Sequence, residues 1–343
     1  MTHSSTWPLG LSIGLFLAAV AVIGVCGVMV TARAERLAAR TGLGQAIMGA
    51  VFLGAMTSLS GLITSMTAAF QGHPALSVSN AVGGIAVQTT FLAIADMVYR
   101  KANLEHAAAS EANLVQASLL VVLLGIALLA GFSPPDTVWG VHPISLVLVA
   151  AYVFGLRLVR GAQKAPMWRP RLTGDTQGRE RVERGGEHGG LLRLWAEFVG
   201  LAVLVAVAGW VIAASGAAIT ARSGLSEGLV GTLFTATSTS LPEAVIAVAA
   251  VRRGALTLAV GDIIGGNTFD VLFLSFSDLM YREGSIYHAV SRTQSFWLAL
   301  SLLMAAVLLM GLLRRERYGL GNIGFESVVI LGLYVAGVAV LFW

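Results

Sequence analysis

Ala39-Arg40-Thr41-Gly42-Leu43 opens one stretch of the chain, and Ala221-Arg222-Ser223-Gly224-Leu225 opens a second. They close on Asp96-Met97-Val98-Tyr99-Arg100 and Asp278-Leu279-Met280-Tyr281-Arg282. The stretches align without a gap at an offset of 182 residues, and 20 of their 62 positions are identical. Gly49, Phe52, Thr57-Ser58-Leu59, Gly72, Gly83-Gly84 and Phe91-Leu92 all recur. Shared apolar composition alone does not yield that many identities. Both copies are strongly apolar, and duplicated sets of membrane helices are a common plan of secondary transporters.

Apolar residues make up 56% of the chain and charged residues 12%, with a mean hydropathy of +0.80. A soluble domain carries about 25% charged residues, so lipid solvates most of this one. Spans of about 20 apolar residues read at 9–30, 43–70, 75–98, 112–132, 141–160, 194–220, 226–251, 255–280, 293–313 and 322–343. The expected fold is all-α and polytopic, with ten transmembrane helices in two sets of five. The first span lacks preceding basic residues and a clean small-residue cleavage pattern, so it reads as a retained helix. Cys26 is the only cysteine, which excludes an intramolecular disulfide and a thiolate metal centre.

The net charge of +4 does not point to nucleic acid. When the loops are numbered alternately, only Arg222, Arg282 and Arg292 of the 22 lysines and arginines fall on one side. By the positive-inside rule both termini lie outside and the 161–192 loop is cytoplasmic. The two copies are then inverted, since five spans separate equivalent points. The charges agree: Phe70-Gln71 in copy one becomes Arg252-Arg253 in copy two, while Arg33 and Arg36 become Ser215 and Ala218. The chain thus divides into a first half, 1–160 (repeat core 39–100), a polar loop, 161–192, and a second half, 193–343 (repeat core 221–282). The loop is rich in Arg, Glu, Gly and Pro without a hydrophobic period, and reads as a linker. Short loops and Ala/Gly/Arg-rich usage point to a prokaryotic inner membrane.

The span at 226–251 contains Thr239-Ser240-Leu241-Pro242-Glu243. A charge at mid-membrane costs at least about 2.5 kcal/mol, so an intramembrane glutamate is a functional candidate by default. Pro242 lacks an N–H and displaces the carbonyl of Ser238, which breaks the helix beside the carboxylate. Thr239 and Ser240 lie four and three residues earlier, on the face of Glu243. The next span reads Gly265-Gly266-Asn267-Thr268-Phe269-Asp270. Asn267 and Asp270 share a face there, and the glycine pair admits a close neighbouring helix. Hydroxyl, carbonyl and carboxylate oxygens in one place suit hard cations.

At these residues the chain resembles the cation/calcium exchanger superfamily, whose best-known members are sodium–calcium exchangers. Thr239–Glu243 matches the first half of the family's motif, and Gly266–Asp270 the second, with Gly266 at the usual serine. The resemblance implies exchange of cations by alternating access, with Glu243 and Asp270 as ion ligands and Thr239, Ser240 and Asn267 around them. Copy one departs from the pattern. It reads Thr57-Ser58-Leu59-Ser60-Gly61, with Ile85 at the counterpart of Asn267 and Gln88 at that of Asp270. Thr57, Ser58 and Gln88 offer neutral oxygens, and Gly61 loosens the helix where copy two has its proline.

Both acids therefore come from copy two. Two carboxylates balance one Ca²⁺ or two Na⁺, but Ca²⁺ takes six to eight oxygens, so calcium, sodium, magnesium and proton exchange all stay open. Transported cations, protons among them, and the lipid bilayer are the expected partners. No phosphate loop is present, and the chain reads as a secondary transporter without a cofactor. The remaining acids read structurally. Asp262 is a gate or packing residue, Asp96 and Asp278 pair with Arg100 and Arg282 four residues on, and Glu326 is interfacial. Two other readings follow from particular residues. Copy one's lost acids would fit a non-transporting ion sensor. Asp262 with Asp270 would fit an intramembrane aspartyl hydrolase, in which Glu243 is dispensable.

Overall fold

The computed structural model describes residues 7–41, 56–99, 101–108, 110–164, 171, 173, 190–252, 254–319 and 323–342. Much of the 161–192 linker, and the start of the span read at 43–70, lie outside them. The described residues are helical, with no strand among them. In chain order the helices are α1 (Leu9–Thr41), α2 (Leu59–Phe70), α3 (Pro74–Val98), α4 (Leu104–Ala107), α5 (Glu111–Ala130), α6 (Pro143–Lys164) and α7 (Leu191–Ser223). After them come α8 (Glu227–Thr239), α9 (Leu241–Arg252), α10 (Leu256–Asp270), α11 (Leu272–Met280), α12 (Arg292–Arg314) and α13 (Phe325–Val340). Seven spans are long and apolar enough to cross a membrane, and the bent pair α8–α9 makes an eighth. The α2 and α13 helices are apolar but shorter. The count of ten thus exceeds what the described helices establish by length.

The 182-residue offset reaches far beyond the two repeat cores. Leu9–Thr41 corresponds to Leu191–Ser223, Leu59–Phe70 to Leu241–Arg252, and Pro74–Val98 to the two ends of α10–α11, Leu256 and Met280. Counterparts run antiparallel. Phe16, Ala19 and Ile23 of α1 pack on Ala208 and Ile212 of α7, whereas Val30, Ala34 and Leu37 pack on Leu194, Phe198 and Val205. Ser77 of α3 likewise bonds Ser277, and Gln88 bonds Asp270. The halves are inverted repeats.

Each half breaks its helix at the same serine. Ser240, between α8 and α9, has φ −92° and ψ 4°, and its counterpart Ser58, before α2, has φ −88° and ψ 8°. The second break bends its helix pair by 46° and is preceded by a π-helical turn, Val230–Thr235. The first half has no proline at this place: Ser60 stands at the counterpart of Pro242, and the turn at Ser58 lies three residues before Gly61.

The α1–α7 pair stands apart from the main core, which is built largely from α3, α5 and α10–α12. Each of these helices has 33 residues, or about 50 Å at 1.5 Å per residue. The span read at 9–30 therefore continues as helix to Thr41. Arg33, beyond its expected end, bonds Glu197 of α7 at 2.9 Å.

Asp278 is not the i,i+4 partner of Arg282, and Arg100, expected beside Asp96, lies outside the described residues. Asp278 accepts from the Ile286 and His142 N–H groups and Ser145 Oγ, and it forms no ion pair among the described residues. Asp96 accepts from the Leu104 and Gly324 N–H groups and Ser327 Oγ. These acceptor sets are counterparts residue for residue. Helices α3 and α11 end at Val98 and Met280, and Tyr99 and Tyr281 are extended (ψ 96° and 120°), so Arg282 no longer lies on the helix of Asp278. Glu326, in the first turn of α13, is buried at 2% exposure.

Candidate cation site

The pseudo-two-fold relation brings counterparts face to face, and its chemistry is densest where α2, α3, the α8–α9 break and α10 meet. A small pocket of about 10 Å³ lies there, lined among others by Ser58, Gly61, Asn80, Gln88, Glu243 and Asp270. Gln88 and Asp270 occupy equivalent places in the two halves, and Gln88 Nε2 donates to Asp270 Oδ2 at 2.7 Å. The same amide nitrogen reaches Ser240 Oγ at 3.2 Å. Ser58 Oγ donates to Glu243 Oε1 at 3.4 Å. Both carboxylates are almost wholly buried, at 3% for Glu243 and 1% for Asp270.

The breaks are laced to one another. Ser60 Oγ donates to the Thr239 carbonyl at 3.0 Å, and Asn80 Nδ2 to the Gly61 carbonyl at 3.1 Å. Thr239 Oγ1 donates to Asn80 Oδ1 at 3.4 Å. Four oxygens around this place are buried with no hydrogen-bond partner: Glu243 Oε2, Asp270 Oδ1, Gln88 Oε1 and Asn267 Oδ1. Unpartnered buried oxygens are costly, and three of these four belong to residues that line the pocket. That is the arrangement a dehydrated cation would complete.

Of the residues singled out from sequence, Ser58, Gly61, Gln88, Thr239, Ser240, Glu243 and Asp270 all line the pocket. Asn267 lies one turn before Asp270 and donates to Thr89 Oγ1 at 3.0 Å, outside the lining. Thr57 is buried next to Ser58 and also outside it. Asp262 is half-buried and lines no part of the pocket, so the aspartate pair required by a hydrolase is not assembled. Sequence reasoning missed Asn80 and Phe273. Asn80 is the counterpart of Asp262, yet it lines the pocket and Asp262 does not. The Phe273 ring fills the room a carboxylate from copy one would need: a Cβ built on Gly61 would lie 2.9 Å from its Cε2. A Cβ on Gly266 would lie 3.4 Å from Gln88 Oε1, so the family's usual serine would sit beside that orphan oxygen.

Residues 11–159 and 193–343 match the family model described as sodium/calcium exchanger protein. The chain belongs to the sodium/calcium exchanger family. It is therefore a polytopic membrane protein of a family of cation antiporters, and not an enzyme. Among the family's members, the sodium/calcium exchanger MaX1 of Methanosarcina acetivorans is 31% identical over 121 residues, covering 35% of this chain and 32% of MaX1. The chain thus spans about a third of MaX1. The inner membrane protein YrbG of Escherichia coli is 27% identical over 307 residues, 88% of each chain. Two solved exchangers share the fold. The sodium–calcium exchanger NCX_Mj, soaked with sodium and strontium, superposes with a TM-score of 0.60 at 17% identity, covering 97% of this chain and 99% of its own. The H⁺/Ca²⁺ exchanger CAX gives 0.64 at 14% identity, covering 97% of this chain and 82% of its own.

Proposed function

We propose that this exchanger moves a cation across a prokaryotic inner membrane by alternating access around Glu243 and Asp270. A counter-ion returns on the same two acids. The reading is carried by the unpartnered oxygens of Glu243, Asp270 and Gln88 turned toward one buried pocket. Ser58, Thr239, Ser240 and Asn267 complete the proposed ligand shell, with Thr57 behind it. Gly61 leaves its carbonyl to Asn80, and Asp262 stands two turns along α10 as a gate. In this reading α2 with its preceding residues and α13 complete ten spans. The charge bias then sets both termini outside and the 161–192 loop in the cytoplasm.

The transported ion is the finer question. Two carboxylates neutralise one Ca²⁺ or two Na⁺, and sodium–calcium exchange is the leading assignment because MaX1 and NCX_Mj bear that activity in their names. Proton coupling is the second reading. It is favoured by the neutral Gln88 where a symmetric site would hold another acid, and by the fold shared with an H⁺/Ca²⁺ exchanger.

The test is flux in proteoliposomes under an imposed sodium gradient, with calcium, magnesium and proton movement followed in parallel for wild type and Glu243→Gln. Sodium-driven calcium flux lost in the variant supports the leading assignment. Proton-coupled flux without sodium dependence supports the second. Flux of any cation that is unchanged in Glu243→Gln would overturn the proposed site.

A further inference from the structure

A second group of acids lies away from the pocket, at the arginine-rich end of α3. One carboxylate oxygen from each of Asp96, Glu105 and Glu326 lies within 4.8 Å of the other two. Asp96 is on α3, Glu105 on α4 and Glu326 in the first turn of α13. They are 0%, 1% and 2% exposed. None of the ion pairs among the described residues involves them. Both Glu105 Oε2 and Glu326 Oε2 are buried with no partner.

The repeat supplies an internal control. The counterparts of Asp96, Glu105 and Glu326 are Asp278, Tyr287 and Ile144. In that other half the network closes on itself: Ser145 Oγ donates to Asp278 and bonds the Tyr287 hydroxyl at 2.9 Å. The same frame is therefore complete with one carboxylate. The arginine-rich end keeps the frame, with Ser327 and the Gly324 N–H on Asp96, and adds two acids that the frame does not need.

Room has also been cleared for them. A Cβ on Gly311 or on Gly324 would overlap the Glu326 side chain, and their counterparts in the other half are Leu129 and His142. Buried acids without cationic partners are unfavourable unless an ion or protons neutralise them.

We propose that Asp96, Glu105 and Glu326 form a second cation site, which takes a hard divalent ion and is separate from the Glu243–Asp270 pocket. Carboxylate oxygens alone suit Mg²⁺, Mn²⁺ or Ca²⁺ and disfavour soft metals. The ion fastens α4 and the start of α13 to the end of α3. Eight residues, about 12 Å of helix, separate Asp96 from Gln88. The site thus reports cation on the side that the proposed topology makes cytoplasmic, to the helix that carries a pocket residue.

The experiment counts Mn²⁺ bound to the purified full-length chain by electron paramagnetic resonance. Glu243→Gln and Asp270→Asn are present throughout, so the transport pocket is neutral and its fate does not enter the count. One Mn²⁺ per chain is expected to remain, and to be lost when Glu105→Tyr and Glu326→Ile install the other half's residues. If that variant does not fold, Glu105→Gln alone is expected to weaken Mn²⁺ binding at least about tenfold, the loss of one charge-assisted ligand. Absence of Mn²⁺ at pH 8 in the parent would show a cluster held together by protons, and would overturn the proposal. So would Mn²⁺ retained at full affinity after the acids of the triad are replaced.

Discussion

Gln88 and Asp270 occupy one position of the repeat in two chemical forms, an amide facing an acid. The amide nitrogen holds one carboxylate oxygen at 2.7 Å and leaves the other bare. Gln88→Leu removes a hydrogen bond to a charged group, worth about 1.5–3 kcal/mol, and a neutral ligand oxygen. It is expected to weaken cation binding about 10- to 100-fold, read by isothermal titration. Gln88→Asp restores an acid at the symmetric place and shifts preference toward ions of higher total charge, read as a changed calcium-to-sodium flux ratio. Gly61→Glu, the other way to restore an acid, meets the Phe273 ring. Overpacking of that kind costs about 1–3 kcal/mol, so the single variant is expected to melt earlier and Gly61→Glu with Phe273→Ala to recover. Equal melting of the two variants would show that Phe273 does not occupy that space. The acids were legible in the sequence because a charge in an apolar span stands out. Asn80 was not, because an uncharged amide in a helix gives no such signal. The burial of Glu326 gave no signal either, because Gly311 and Gly324, which admit its side chain, lie outside its own helix.

The helices touch at glycines where the two halves meet. A Cβ on Gly27 of α1 would overlap the Pro242 ring. At the equivalent place on α7, a Cβ on Gly209 would lie 2.8 Å from the Ser60 carbonyl oxygen. Each long helix thus leans on the broken helix of the opposite half through a residue without a side chain, next to the motif that carries the ligands. Gly27→Val and Gly209→Val are expected to slow turnover several-fold while leaving equilibrium cation binding within about twofold, since neither residue lines the pocket. Loss of binding in step with flux would assign these glycines to the pocket's own shape instead. Hydrophobic periodicity located the helices but not these contacts. It placed the end of α3 at Val98, where Tyr99 turns extended and Asp96 accepts from the Leu104 N–H at the start of α4, but ended α1 too early, since that helix continues through Arg33, which Glu197 pairs.

Across the whole molecule the repeat was legible from identities alone, and the structure carries the same offset into helices where few identities survive. That is expected when packing geometry outlasts individual side chains. Orientation in the membrane rests on loop charge and is open to direct measurement. In a Cys26→Ser background, Asp136→Cys is expected to react with a membrane-impermeant maleimide in intact cells, and Glu316→Cys only after permeabilisation. The reverse pattern would invert the assigned topology and move the Asp96 cluster to the outer face.

The confinement of both acids to one half has a kinetic corollary. In a protein of inverted repeats, opening to one side is the mirror image of opening to the other, provided the halves are chemically alike. In the proposed transport cycle the mirror is broken at the pocket: one route passes the carboxylates of α9 and α10, the other the amides and hydroxyls of α2 and α3. The ion gradients alone fix where exchange comes to rest. If the proposed ligands carry the ion, the unequal walls set different half-saturation concentrations on the two faces, and the protein acts as a partial rectifier.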